Sequence, residues 1–389
     1  MIQLAVLPCD PIVARDGRPF GEYPNNRMRS SEWIYPSVLA GTLRTMVGKM
    51  LGRDGHWFDE GIVQRLLRIA VAGPFPVVRT EAGSQLLLPR PRDMVVSVEA
   101  QHTLHARRPR KMKEGTGCNM PRENLLPVFA NTTEKPVRMP DFWPMSAVER
   151  WAAEDFVDQE PVWTDWLDVR IRESCDEFPQ RETRVHVGID RKTGAAQDSL
   201  LYMTTALDLR DHELTVRVSV EDGLDIENVL RTADLLHPFG GERRLSRFRA
   251  DPSPDWSVPE RVRTSLAGVK GLRMMMASPA LFEHGWLPGW LDQESLQGAP
   301  PGAPGLVLRL RAACVERWKP ISGWDMRAGG QKPVRRLVPS GSVYFFEVID
   351  GDPAAYVSDL WLHAVSDAPQ DRRDGFGLAT FGVWNPAFM

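Results

Sequence analysis

Residues 200–220, LLYMTTALDLRDHELTVRVSV, open the part of the sequence that decides the fold class. The two apolar runs in this stretch, 200–209 and 214–220, are typical of β-strands. Charged and polar residues separate them, as in a connection between two strands. The stretch therefore predicts that a strand-rich unit begins near residue 199.

The sequence that follows has the element order of a ferredoxin-like domain. A helix is predicted from Asp225, as its cap, through Leu236, with a stop at the turn 238–241. Three strands, a helix and a glycine-rich end are then predicted near 269–277, 306–315, 341–349, 353–362 and 374–384. Strand, helix, strands, helix and strand is the ferredoxin-like order, so the predicted fold class is α+β rather than a doubly wound parallel sheet. The glycine-rich end is interpreted as a tight turn before an edge strand.

The first half of the chain is compatible with the same order. Ile2, Leu4 and Val6 alternate with other residues, which predicts a half-buried strand. Residues 36–51 begin with proline and carry apolar side chains at helical spacing, which predicts a helix with Gly52 as its C-cap. Short apolar runs between 66 and 98 predict strands.

A long insertion interrupts this first half. Residues 99–145 are polar, basic and rich in proline without a sustained apolar period, so we expect a functional segment that is disordered outside an assembly. Ser146 to Glu149 fits a capping box before the next helix. The predicted domains are therefore 1–198, with the insertion near 99–145, and 199–389, ending in the glycine-rich loop.

The composition is that of a folded protein of ordinary charge. Hydrophobic residues make up 42% and charged residues 25% of the 389 residues, which excludes disorder over most of the chain. The N-terminal residues lack a basic leader and no apolar run reaches the length of a membrane span, so a soluble, cytoplasmic protein without membrane contact is expected. The four cysteines are scattered, as in proteins of a reducing compartment.

Known catalytic and cofactor motifs are missing from the sequence. It has no phosphate-binding loop, no nucleophile elbow, no HExxH and no dinucleotide fingerprint, so no cofactor is expected. His102, His105 and Cys118 could supply part of a zinc site, but zinc needs four ligands and nothing nearby completes the set. Scattered polar loop residues are the preferred interpretation of these three.

Three basic clusters indicate a polyanionic partner despite the net charge of -3. They occupy residues 105–113, 240–249 and 327–336, beside glycines or in loops. Arginine grips phosphates at two points, and glycine allows a backbone to approach closely. The 13 tryptophans add surfaces on which unpaired bases can stack. One such cluster is usually a solvated face, but three together favour RNA.

Several segments, taken in order, resemble one known family. They are DPIVARDGRPF at 10–20, YPSVLAGTLRT at 35–45, ETRVHVGIDRKTGAAQDSLLYMTTALDLR at 182–210, PFGGERRLSRF at 238–248, KPISGWDM at 319–326, VPSGSVYFFEV at 338–348 and DGFGLATFGVW at 374–384. Together they are similar to the RAMP-superfamily subunit at the base of type III-B CRISPR effector complexes, the third subunit of the Cmr module. In PFGGERRLSRF, Phe239 replaces the family's usual leucine. Residues 99–180 match poorly, and no role is transferred to them.

The resemblance implies two ferredoxin-like (RRM-like) RAMP domains with large loop insertions. It implies a non-catalytic subunit of a ribonucleoprotein that serves antiviral defence. Its partners would be the 5′ tag of the CRISPR RNA (crRNA), the large polymerase-like subunit, the first backbone RAMP subunit and, indirectly, target RNA. RNA cutting and cyclic-nucleotide signalling would belong to other subunits. The RNA-binding candidates are Arg15, Arg18, Arg184, His186, Arg191, Lys192, Gly240, Gly241, Arg243 and Arg244. For Arg18 and Arg191 a structural salt bridge is nearly as good an interpretation.

Three alternatives stay open. The first is a metal-independent crRNA-processing endoribonuclease of the same superfamily, with His186 as its general acid or base. The second is a protein-interaction module that binds acidic partners without RNA. The third is the equivalent subunit of another type III complex.

Overall fold

The computed structural model describes residues 1–15, 26–51, 59–81, 83–97, 103–118, 120–154, 162, 175, 178–210, 212–220, 226–325 and 329–386. Strands dominate these residues, and the helices are short apart from the first, so the α+β class is confirmed at this level. The helices are α1 Pro36–Leu51, α2 Glu60–Leu67, α3 Met145–Ala152, α4 Ile226–Arg231, α5 Glu260–Ser265, α6 Pro353–Leu360 and α7 Pro369–Arg373.

The strands are numbered in chain order. Those before residue 220 are β1 Ile2–Pro8, β2 Asn26–Met28, β3 Ala70–Thr80, β4 Gly83–Pro89, β5 Met94–Ser97, β6 Thr103–Ala106, β7 Arg108–Pro109, β8 Val128–Phe129, β9 Phe142–Pro144, β10 Gln180–Ile189, β11 Ala196–Asp208 and β12 Glu213–Ser219. Those after it are β13 Asp234–Pro238, β14 Leu245–Ala250, β15 Gly271–Met276, β16 Gln297–Gly298, β17 Val307–Cys314, β18 Lys319–Ile321, β19 Trp324–Asp325, β20 Gly330–Gln331, β21 Arg335–Leu337, β22 Val343–Asp350, β23 His363–Ala364 and β24 Leu378–Val383.

The chain forms two compact units, and each is drawn from separate stretches of sequence. The first unit consists of Met1–Val77, Glu177–Ser253 and Pro320–Arg336, and the second of Val78–Asp176, Pro254–Lys319 and Leu337–Met389. These units are discontinuous, whereas the domains expected from the sequence are consecutive. The boundaries 1–198 and 199–389, and the ferredoxin-like nature of each domain, stay predictions.

An antiparallel sheet forms the centre of the first unit. Its strands follow the order β13-β14-β1-β12-β3. β1 pairs with β12 from Ile2 opposite Val218 and with β14 from Leu4 opposite Ala250. Leu4 and Val6 are fully buried, because alternate side chains of a central strand point into the core. The predicted first strand and the helix at 36–51 are both confirmed.

The second unit is built on a sheet of order β16-β17-β22-β15-β24-β23. All six residues of β15, GLRMMM, are buried, as expected for a strand with neighbours on both sides. The strands and the helix predicted after residue 269 are confirmed here. The predicted edge position of the last strand is wrong, since β24 lies between β15 and β23.

Several local predictions are corrected by long-range pairing. The helix predicted to reach Leu236 ends at Arg231, and β13 follows because Asp234–Pro238 pairs with β14. Asp225, its predicted cap, lies outside the described residues, as does Gly52, the predicted C-cap of the helix at 36–51.

The capping box predicted at Ser146 to Glu149 is also wrong: Pro144 is the N-cap of α3 and makes no side-chain cap bond. The Ser146 hydroxyl donates instead to Gln85 Oε1 at 3.4 Å. Two of the apolar runs from which strands were predicted, 68–73 and 76–80, contribute to one strand, β3. No element was predicted at α2.

The insertion contributes to the core of the second unit. Within 99–145 the structure describes 103–118 and 120–145, which contain β6 to β9. Leu104, Leu125, Met139 and Trp143 are buried, although they recur at no regular period. Disorder of this segment in the free protein stays a prediction.

A buried ion pair lies at the centre of the second unit. Arg273 on β15 is fully buried, and its Nη1 donates to Asp93 Oδ2 at 2.9 Å. Its Nη2 donates to the Trp151 carbonyl at 2.5 Å and its Nε to the Val383 carbonyl at 2.8 Å. Trp151 Nε1 donates to Asp93 Oδ1 at 3.0 Å, and the Trp151 ring centroid lies 4.4 Å from the guanidinium carbon. The charge is therefore satisfied on every side.

Breaking this pair should destabilise the protein strongly. We expect Arg273→Met to lower the free energy of unfolding by about 3–5 kcal/mol, because it leaves the Asp93 carboxylate buried without its cation. The measurement is urea denaturation followed by circular dichroism. The control is Arg309→Met, which removes the half-exposed pair with Glu347 at 3.5 Å and should cost about 1 kcal/mol or less. Equal losses for the two variants would contradict the prediction.

Candidate nucleic-acid interface

A two-stranded arm carries four of the predicted RNA-binding residues. β10 and β11 pair in antiparallel register, with Arg184 opposite Thr204 and His186 opposite Tyr202. β11 also pairs in parallel with β2, which ties the base of the arm to residues 26–28. Most side chains of β10 are exposed or half-exposed. The arm is therefore a ribbon whose two faces both meet solvent.

The tip of the arm is a rigid cationic turn. Asp190 Oδ1 accepts hydrogen bonds from the backbone nitrogens of Lys192, at 2.8 Å, and Thr193, at 2.9 Å. These two bonds hold the pKa of Asp190 below its usual value, and the bond from Thr193 has the larger effect. Arg191 and Lys192 are exposed on this turn. The backbone that carries both cations is thus fixed while their side chains reach into solvent.

His186 lies on one face of the arm in a defined position. Its ring is stacked on that of Tyr202, with centroids 5.0 Å apart and planes inclined by 12°. Its Nε2 lies 2.8 Å from the Thr204 hydroxyl. A hydrogen bond and a stacking partner together orient the imidazole, so this face offers a preformed aromatic surface.

The opposite face of the arm is apolar. Val185, Val187 and Leu201 share it, because Val187 lies opposite Leu201 and alternate residues point the same way. These three and Ile189, which follows a bulge, expose 43% to 58% of their surface. Side chains of this kind are normally buried in a core, so their exposure on a projecting ribbon indicates a contact surface.

Carboxylates surround the two arginines at the base of the arm. Arg184 donates a hydrogen bond to Glu182, and this bond raises the pKa of Arg184. The negative charges of Asp10 and Glu242 raise it further by smaller amounts. The same two acids flank Arg244, at 3.9 Å for Asp10 and 3.6 Å for Glu242. The structure therefore brings Arg184 and Arg244 into one cluster of alternating charge, which the sequence analysis did not foresee.

The predicted glycine pair docks a loop onto the protein's own backbone. Gly240 has φ +81°, and a Cβ at this position would lie 2.5 Å from the Val13 carbonyl oxygen. The Gly241 nitrogen donates to that oxygen at 2.7 Å. Phe239 is fully buried, its ring 6.0 Å from that of Phe248. Close approach to residues 12 and 13 explains why glycine stands at both positions, and RNA binding at them stays a prediction.

The remaining candidates flank this loop. Arg243, with φ +54°, is exposed at its turn and has no hydrogen-bond or ion-pair partner among the described residues. Arg15 is exposed and its backbone bridges to Ser30. Arg18 lies outside the described residues. All described candidates belong to the first unit.

Sequence reasoning missed several members of this site. Tyr202, Thr204 and the apolar face were not selected, although VHVGI at 185–189 shows period-2 alternation. That pattern does not tell an exposed strand from a half-buried one. The acids Asp10, Glu182 and Glu242 had no local signal, since their pairing depends on the fold.

The other basic clusters and the metal candidates have different surroundings. Arg108 forms an ion pair with Glu154 at 2.7 Å in the second unit, so the cluster at 105–113 is not simply a solvated loop. His105 is buried and its Nε2 lies 2.7 Å from the Ser97 hydroxyl, while His102 lies outside the described residues. No group of three or more potential metal ligands occurs in the described part of the chain. None of the described helices is long and apolar enough to cross a membrane.

The docking of the glycine loop can be tested by substitution. We expect Gly240→Ala to lower the free energy of unfolding by about 2–4 kcal/mol. The new Cβ would clash with the Val13 carbonyl, and the left-handed backbone conformation at this position is unfavourable for alanine. Gly115→Ala is the control: it has φ +82° but nothing within 4 Å of the new Cβ, so about 1 kcal/mol is expected. Urea denaturation measures both. If the two substitutions cost the same, the loop is not held by close contact.

Three solved chains and one family model are similar to this protein. Two solved chains, from the "Cryo-EM structure of the Type III-B Cmr-beta bound to cognate target RNA" and from the same complex with AMPPnP, are each 15% identical to this one. Each match has a TM-score of 0.48 and covers 88% of this chain and 86% of the other. A chain of the "Csm3-Csm4 subcomplex in the type III-A CRISPR-Cas interference complex" is 10% identical, with a TM-score of 0.39 over 90% of this chain and 94% of the other. No curated protein matches. The model of the family described as "CRISPR-associated protein (Cas_Cmr3)" matches residues 4–384, and the chain therefore belongs to the Cas_Cmr3 family.

Proposed function

We propose that this protein is a structural, RNA-binding subunit of a type III-B CRISPR effector complex and that its first unit holds the 5′ tag of the crRNA. One observation carries the proposal. An exposed arm with a cationic tip, an aromatic face and an apolar face shares a charge cluster at its base with the loop that presents Arg243. Family membership supports the same role.

The cations of this surface differ in how they can bind phosphate. Arg191, Lys192 and Arg243 are exposed. Arg184 and Arg244 already lie beside carboxylates, which offset part of their charge, so each attracts a phosphate less strongly than an unpaired arginine does. The tip of the arm and Arg243 therefore supply most of the affinity, while Arg184 and Arg244 mainly position the strand.

The two faces of the arm suit unpaired bases. Single-stranded RNA is recognised chiefly by stacking of splayed bases on aromatic and apolar surfaces. The His186–Tyr202 pair offers a stacking surface on one face. Val185, Val187 and Leu201 offer an apolar surface on the other.

The assembly role follows from this grip. Holding the tag would place the subunit at one end of the complex, in the cytoplasm, between the large polymerase-like subunit and the first backbone RAMP subunit. Its contact with target RNA would be indirect, through the paired crRNA. In this role the protein is a scaffold without a catalytic step of its own, and no cofactor is required.

Removing the cations in pairs should weaken tag binding. We expect Arg191→Ala with Lys192→Ala, and separately Arg243→Ala with Arg244→Ala, to reduce affinity for an RNA carrying the repeat-derived 5′ tag. Each single-strand phosphate contact contributes about 0.7 to the logarithmic salt slope, so each double variant should flatten it by up to about 1.4. The measurement is filter binding of labelled RNA at several salt concentrations.

The matched control is Arg247→Ala on the neighbouring strand β14. This exposed arginine is held by Asp234 at 2.6 Å and 2.7 Å and lies outside the proposed site, so its loss should leave affinity unchanged. Unaltered affinity and slope in both double variants would refute the proposal. Denaturing gels of the same labelled RNA, incubated with the protein without metal, report cleavage: specific cutting that His186→Ala abolishes would establish the endoribonuclease alternative instead.

A further inference from the structure

The second unit contains a cleft that the proposed tag contact does not use. Its volume is about 510 Å³, and residues of β5, β8 and the end of β17 line it together with 136–139. A volume in this range suits a small molecule or one residue of a polymer. All lining residues are described and belong to the second unit.

Three arginines line this cleft, and neighbouring groups hold their guanidinium groups. Arg90 Nη1 donates to the Met94 carbonyl at 3.2 Å. Arg107 Nη1 donates to the Arg92 carbonyl at 3.1 Å. The guanidinium group of Arg92 lies instead beside carboxylates, with its Nε 3.3 Å from Glu316. These contacts preorganise the cations, which lowers the entropy cost of binding an anion.

The local charge favours an anion. Arg92 lies 3.3 Å from Glu316 and 3.7 Å from Asp141, so two carboxylates face three guanidinium groups. The pKa of Arg90 is lowered to about 10, chiefly by burial and secondly by the positive charge of Arg92. Arg90 therefore stays charged near neutral pH. Burial raises the pKa of Cys314 to about 12, which keeps this lining thiol neutral.

Two buried donors of the lining arginines make no hydrogen bond within the described part of the chain. They are Arg90 Nε and Arg92 Nε, and the second lies 3.3 Å from a carboxylate oxygen of Glu316. Charged donors without a hydrogen bond are costly, so these arginines gain from an additional oxygen acceptor.

Apolar side chains share the lining of the cleft with the arginines. They are Val95, Val128, Pro136, Val137, Met139 and Val315. A ligand that fits this mixed lining combines an anionic group with a flat, weakly polar group. A nucleotide has this construction, with its phosphate and its base.

We propose that this cleft binds a nucleotide, with the phosphate at Arg90, Arg92 and Arg107 and the base against the apolar lining residues. The nucleotide comes from a free nucleoside phosphate or from one residue of an RNA strand, since both present the same chemistry. The site is separate from the arm of the first unit and does not depend on the tag contact.

Calorimetric titration of the full-length protein with adenosine and uridine monophosphates tests the proposal. Inorganic phosphate, glutamate and a short oligoribonucleotide are titrated in parallel. We expect Arg107→Gln to weaken monophosphate binding about tenfold or more, as for the loss of one charged hydrogen bond. Arg110→Gln is the matched control: this arginine is exposed nearby in the sequence and does not line the cleft, so binding should be unchanged.

A second pair of variants leaves the arginines in place. Val315→Asp puts a carboxylate into the cleft and should also weaken binding about tenfold, whereas the neutral Val315→Asn should change it little. Circular dichroism confirms that each variant is folded. This pair keeps the test decisive if Arg107→Gln fails to fold.

The outcomes separate the possible ligands. Oligonucleotide binding that is tighter than monophosphate binding and that Arg107→Gln weakens identifies an RNA residue, and equal affinities identify a free nucleotide. The proposal is overturned if phosphate binds as tightly as the nucleotide, if glutamate does so, or if the wild type binds no nucleotide at millimolar concentration. The Arg243→Ala, Arg244→Ala double variant should bind monophosphate normally, so failure here is distinct from failure of the tag contact.

Discussion

The buried charge of Arg273 constrains the second unit more than any other interaction. A guanidinium without solvent must have every donor satisfied, and Asp93, Trp151 and Val383 supply the acceptors. Those three residues come from a turn, a helix and the last long strand, so one charge fixes three distant segments. The turn that holds Asp93 also holds Arg92, and the Asp93 carbonyl accepts from the Arg107 nitrogen at 2.6 Å. The network that stabilises the core thereby positions the arginines of the cleft.

In the first unit a backbone contact has the corresponding role. Gly240 and Gly241 pack on the Val13 carbonyl, which places the loop 239–244 beside Asp10. The arm then extends from the same region, and its Arg184 shares the acids of Arg244. The relation between the arm and the loop is thus set by a close approach that any side chain at Gly240 would obstruct. The close contact of Gly240 and Gly241 with Val13 therefore defines the geometry of the candidate interface.

Local pattern was enough to predict what depends on local interactions. The helix at 36–51 and the strands β1, β15, β17 and β22 follow from periodicity, because each buries side chains of its own segment. A helix was predicted to continue through Leu236, yet pairing with β14 makes Asp234–Pro238 a strand. The discontinuous units, the exposure of the arm and the carboxylates around Arg184 all depend on contacts between distant residues. Basic clusters in the sequence therefore pointed to RNA without showing which arginines are already paired.

That pairing bears on how a chain of net charge -3 could select one RNA end. Free cations attract any phosphate, whereas the carboxylates beside Arg184 and Arg244 weaken the attraction of these two arginines for one. A single phosphate contact with either arginine therefore adds little, and binding becomes favourable when several contacts form together with base stacking on the arm. A strand that fits the tip, the aromatic face and the loop at once meets this condition, but a random strand does not. Under the proposed function, the acids at the base of the arm thus reduce non-specific affinity and favour a defined single-stranded tag.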